Sequence, residues 1–150
     1  AEDLGFDPTS VIVGGWSAGG HLAALAADHP NVSGVLSISG IFDLTPIALS
    51  YINDALDLTA EEIAGLSPLF NLPNRKVPHR LFVGGGELPE LQRQSTVYAE
   101  ALNRQGIPAA LETVPGLNHF TIVNELAAEG GSLLSGLLRL VDQVASKPAP

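Results

Sequence analysis

The chain has 150 residues, 45% of them hydrophobic and 15% charged, and carries a formal net charge of −9. That supply of apolar surface suits one globular domain and excludes a disordered chain, because it can offset the entropy of ordering. Its acidity argues against nucleic-acid and anionic-membrane partners, and the absence of cysteine removes disulfides, thiolate metal sites and a cysteine nucleophile.

The first ten residues, AEDLGFDPTS, place acid where a secretory leader needs positive charge, and no apolar core follows. A cytoplasmic location is expected on that ground. The chain starts at Ala1 and lacks methionine, so a piece of a longer protein, or a processed one, is the expectation. The apolar stretch from Leu133 to Val141 is interrupted by Ser135, Gly136 and Arg139 and is too short to span a bilayer.

Short apolar runs then alternate with helical patterns. Val11-Ile12-Val13 followed by Gly14-Gly15 reads as a buried strand ending in a tight turn. Gly20 to Asp28, rich in alanine and leucine and stopped by Pro30, reads as a short helix. Val32 to Ser39 reads as a second strand, Leu81 to Val83 as a third and Ala110 to Val114 as a fourth.

Between the third and fourth, Pro89 opens a helix whose apolar stripe is Leu91, Tyr98, Ala101 and Leu102, with Gly106 at its C′ position. A final helix, about Ser132 to Val144, is expected to bury Leu133, Leu134, Leu137, Leu138 and Val141. The alternation specifies an α/β fold, a three-layer sandwich with a mostly parallel sheet. Residues 42–78 break the rhythm with two short helical candidates, one opened by Thr59 with Glu62 three residues on, a capping-box pattern. This interval is either a lid-like insertion or a connection carrying a surface helix.

Gly15-Trp16-Ser17-Ala18-Gly19 fits G-x-S-x-G. A serine on a hard turn between strand and helix stands free for attack, and the small flanking residues let the two elements approach closely. Ala18, first in the following helix, presents its N–H to an oxyanion position. Trp16 either lines an acyl pocket as a substrate-binding residue or packs.

A serine hydroxyl needs a base. His119 follows the fourth strand in a turn, on the sheet edge that gathers strand C-termini and the Ser17 elbow. His21 reads as packing or pocket-lining, and His29 as solvated. His79, next to Arg80, has no evident partner. No H-E-x-x-H or similar spacing is present, so no metal is expected. An acid should follow the third strand, where Gly84-Gly85-Gly86 leads to Glu87 and Glu90. Glu87 is nearer the strand end; Glu90, in the first turn of a helix, is also explained by charge–dipole attraction. No Lys-Ser/Thr follows the glycines, which excludes Walker-type phosphate binding.

The stretch Gly5-Phe6-Asp7-Pro8 and the run from Val11 to Ala23 resemble the elbow region of α/β-hydrolase esterases, and within them the arylformamidase (kynurenine formamidase) branch. Ser39 to Leu44 with Pro46, Asn53 to Leu56, Leu66-Ser67-Pro68, Glu90 to Ser95 and Asn118-His119-Phe120 are similar to that branch, in its order. The resemblance implies the C-terminal half of an α/β-hydrolase fold, with these four strands as its fifth to eighth. It implies a catalytic Ser17, Glu87 and His119, with glutamate where aspartate is commoner. The implied substrates are aryl formamides such as N-formylkynurenine, or short-chain esters, with no cofactor required.

No HGG-type loop, the usual source of a second oxyanion N–H, occurs in the sequence. The resemblance also implies that the first strand presents an apolar edge where earlier strands belong, covered by an N-terminal half or by a second copy in a homo-oligomer. A non-catalytic fragment of the fold is the reading that competes with an enzyme.

Overall fold

The computed structural model describes residues 10–146 together with Gly5 and Pro8. Phe6 and Asp7, and most of the stretch read for a leader, lie outside the described residues. Four strands, β1 (Val11–Trp16), β2 (Val32–Ile38), β3 (His79–Gly84) and β4 (Ala109–Val114), lie in the order β1-β2-β3-β4. All three pairings are parallel. Parallel neighbours need crossovers. Helix α1 (Ala18–Leu25), extended by a 3₁₀ turn at Ala26–Asp28, links β1 to β2, and α5 (Pro89–Arg104) links β3 to β4.

The strands alternate their side chains between the two faces of the sheet. On one face Leu81 packs with Ala24 of α1 and with Tyr98, Ala99 and Leu102 of α5. On the other, Leu36, Ile38 and Phe82 meet Leu133 and Leu140 of the last helix, α6 (Ser132–Ala145). Helices therefore cover both faces, which is the three-layer sandwich the alternation implied. β2 and β3, buried along nearly their whole length, are the inner strands, whereas β1 is an edge with Val11 and Trp16 exposed.

Helix α6 corrects one expectation. It is turned so that Leu133, Gly136 and Leu140 face the sheet, with Leu137 and Val144 packed beside them. Leu134 is only half-buried, and Leu138 and Val141 are 54% and 42% exposed. Gly136 sets this rotation: a Cβ there would collide with the Phe82 ring, so the helix seats its glycine against the sheet's aromatic. In α5 the buried side also includes Gln94 and Ser95, with Leu91 and Ala101 at its margin.

Between β2 and β3 three short helices form rather than two: α2 (Thr45–Ala48), α3 (Asn53–Leu56) and α4 (Ala60–Leu66). The capping box at α4 is made, with Glu62 N–H on Thr59 Oγ1 at 3.2 Å and Thr59 N–H on Glu62 Oε2 at 2.9 Å. The segment is pinned at its root, where Gln94 Oε1 accepts from the N–H groups of Phe42 and Asp43 at 2.8 and 2.9 Å. Farther out, Leu49 and Tyr51 stand 84% and 83% exposed. Among the described residues, no helix is long and apolar enough to cross a membrane.

Candidate active site

Ser17 lies between β1 and α1 with φ 57° and ψ −120°. A non-glycine residue with positive φ costs on the order of 1–3 kcal/mol and persists only where its surroundings fix it. Here the Ser17 N–H extends the sheet ladder to Ile38 O at 2.8 Å, and His21 N–H returns to Ser17 O at 3.1 Å. Gly15 is required because a Cβ there would strike the backbone of Gly19. The turn is thus sharp enough to lift Oγ clear of the sheet, and α1 begins at Ala18, whose N–H has no intrahelical acceptor.

Glu87 follows β3. Gly85 N–H donates to Val114 O at 2.8 Å and Gly86 N–H to Leu117 O at 2.9 Å, tying the acid-bearing loop to the loop after β4. A Cβ on Gly84 would collide with the Leu117 carbonyl. The three glycines therefore bring two backbones into contact. His119 comes from that second loop, after a turn at Gly116 with φ 74°.

The three side chains form one hydrogen-bonded line. His119 Nε2 is 3.0 Å from Ser17 Oγ, and His119 Nδ1 is 2.8 Å from Glu87 Oε2. The Glu87 side chain is fully buried, and its other oxygen, Oε1, accepts from Gly84 N–H at 2.7 Å and from Ser39 Oγ–H at 2.5 Å. Buried carboxyl oxygens need such hydrogen-bond partners to offset the cost of leaving water. Ser39, itself fully buried, follows β2 with φ 49°. Sequence reasoning missed its part in holding Glu87. A serine closing the second strand, in a stretch similar to the arylformamidase branch, was visible, but nothing in the sequence tied it to Glu87.

Glu90 lies apart from this line. It is paired with Arg93 at 2.7 and 2.6 Å, and the bond to that guanidinium holds its carboxyl below the usual range. Trp16 is 36% exposed and packs on His119 with ring centroids 5.0 Å apart. Asp43 closes a turn by accepting Thr45 N–H at 2.8 Å. No group of three metal-ligating side chains occurs among the described residues.

The remaining histidines have separate settings. His21 Nδ1 lies 2.9 Å from Ile41 O, and His29 is exposed, accepting from Asn31 N–H at 3.2 Å. His79 starts β3 fully inside the fold, 6.1 Å from the ring of Tyr98 on α5, and among the described residues neither ring nitrogen has a hydrogen-bond partner. Burial pushes its pKa down to about 4 from 6.5.

The unfolded chain therefore takes up this proton first as pH falls. The neutral-His79 contribution is complete above about pH 6.5 and is lost toward pH 4, a change of about 2–3 kcal/mol by pH 4.5. Urea melts of the wild type and His79→Phe at pH 7 and 4.5 should show the variant losing less stability by that amount. Equal losses would place the acid sensitivity elsewhere.

A serine at a strained strand–helix turn, a histidine after the last strand and a carboxylate after the one before it, all on one edge of a parallel sheet, define an α/β-hydrolase. The sequence profile of the prolyl oligopeptidase family matches residues 1–132, and the chain belongs to that family. The kynurenine formamidase of Danio rerio is 33% identical over 140 residues, covering 85% of this chain and 48% of that protein. The kynurenine formamidase of Salmo salar is 34% identical over 141 residues, with the same coverage. The chain spans about half the length of these curated relatives. In fold it is similar to the acetyl ester-xyloside bifunctional hydrolase of Caldicellulosiruptor lactoaceticus, with a TM-score of 0.74 and 19% identity over 95% of this chain and 60% of that one.

Proposed function

We propose that this chain supplies the reacting half of a serine hydrolase that cleaves acyl bonds through an acyl-enzyme, with aryl formamides such as N-formylkynurenine as its substrates. The observation that carries the reading is the unbroken hydrogen-bonded line from Ser17 through His119 to Glu87. Ser17 Oγ attacks the formyl carbon while His119 Nε2 takes its proton. The oxyanion forms beside the Ala18 N–H, which the α1 dipole favours. His119 then protonates the leaving aryl amine, and the C–N bond breaks to leave formyl-Ser17. Water, deprotonated by His119, attacks the ester, so formate leaves and Ser17 recovers its proton. Glu87 holds the imidazole tautomer and stabilises its cation. The exposed face of Trp16 lines the acyl pocket, and residues 42–78, which leave the sheet at the edge bearing Ser17, form a lid-like cover.

The formamidase relatives support the substrate class at the level of the family. A fluorophosphonate should place a single adduct on Ser17, located by mass spectrometry and lost in His119→Ala. Turnover should favour N-formylkynurenine over p-nitrophenyl acetate in kcat/KM. A reversed ratio with the adduct intact would make the protein a general carboxylesterase, and no adduct on folded protein would sink the enzyme reading.

A further inference from the structure

Trp16, the only tryptophan of the sequence, links the elbow to the histidine turn through an atom that takes no part in proton transfer. Its indole Nε1–H donates to the backbone carbonyl of His119 at 2.8 Å, across 103 residues of chain. Its ring lies 5.0 Å from the imidazole, tilted by 39°. Phe120 meets both rings edge-on, at 6.0 Å from Trp16 and 5.5 Å from His119. On the far side of His119 the turn is fixed by Asn118, whose Oδ1 accepts from Phe120 N–H and Thr121 N–H at 3.0 Å each.

Both imidazole nitrogens are committed to side-chain bonds that lengthen, shorten or change donor during each proposed proton transfer. The main chain of His119 needs an anchor that stays constant through the cycle. The indole bond is one, and because Trp16 directly precedes Ser17 it refers the histidine backbone to the nucleophile itself. Misplacement of a reacting pair by about 1 Å costs roughly 10²-fold in rate. We propose that Trp16 is a positioning residue: its indole N–H sets the distance between His119 and Ser17, in addition to any contact its ring makes with substrate. The proposal rests on the serine-hydrolase reading above.

The test removes the N–H and keeps an aromatic side chain, in the full chain. Trp16→Phe is the first variant. The second is biosynthetic replacement of tryptophan by 3-benzothienylalanine, an isostere without the donor, which protects the test against a folding failure. Both should lower kcat per titrated active site about tenfold, with KM within about twofold, and slow fluorophosphonate inactivation by a similar factor. Trp16→Ala should in addition raise KM.

An unchanged kcat in the donor-free proteins would overturn the proposal, as would a change confined to KM, which would make Trp16 a substrate wall alone. A lower melting temperature with normal kcat per active site would reduce it to a structural residue. Failure of the underlying reading is distinguishable, because Ser17→Ala would then stay active whatever stands at position 16.

Discussion

Ser17→Ala is expected to reduce turnover of an acyl substrate by about 10⁶-fold, with KM and melting temperature nearly unchanged. The residue's cost to the fold is its backbone, at φ 57°, and alanine inherits that conformation without relieving it. What disappears is the hydroxyl 3.0 Å from His119 Nε2. On the proposed mechanism alanine at 119 should cost a similar factor, and the double variant should be no worse than either single one, as expected of a nucleophile and base that act as a unit. Single-turnover assays with purified variants measure this. Activity of Ser17→Ala within tenfold of the wild type would assign the chemistry to another group. Losses that multiply in the double variant would mean that Ser17 and His119 act separately.

The parts of the site that sequence makes visible are those tied to chain order. An apolar run, two glycines and a serine before an alanine-rich helix specify an elbow, because few other turns need that combination. Loops after parallel strands collect on one edge, so the loops holding Glu87 and His119 could be found by counting strands. The support of Glu87 could not. Ser39 is 48 residues away and meets Oε1 only because β2 and β3 are neighbours and Ser39 adopts a positive φ. The indole bond from Trp16 to His119 O is hidden for the same reason. Helix α6 shows a different limit. Leucine and valine surround much of its circumference, so the hydrophobic pattern does not fix which side is buried, and it takes the contact of Gly136 with Phe82 to decide. The setting of His79 likewise depends on Tyr98, which arrives from α5, and on the Pro108 carbonyl just before β4, which accepts its backbone N–H.

Glu87→Gln should lower kcat by about 10⁴-fold while leaving the fold in place. Glu87 Oε1 is held by two donors, Gly84 N–H and Ser39 Oγ–H. The carbonyl of a glutamine takes that position, since an amide NH₂ there would face the fixed Gly84 N–H donor, whereas the Ser39 hydroxyl can serve either group. The NH₂ is then directed at His119 Nδ1, 2.8 Å away in the wild type. Nδ1 becomes an acceptor, the imidazole proton moves to Nε2, and the nitrogen facing Ser17 loses the lone pair that would take the serine proton. Geometry survives and basicity is misdirected. Glu90→Gln is the matched control. Its partner is the half-exposed Arg93, with side-chain exposure of 48%, and such surface pairs contribute about 0–1 kcal/mol, so kcat should stay within about twofold. Comparing kcat for the two variants on one substrate decides between the carboxylates. Equal kcat values would remove Glu87 from the role its hydrogen bonds give it, whereas a loss confined to Glu87→Gln would show that the buried carboxylate orients the base.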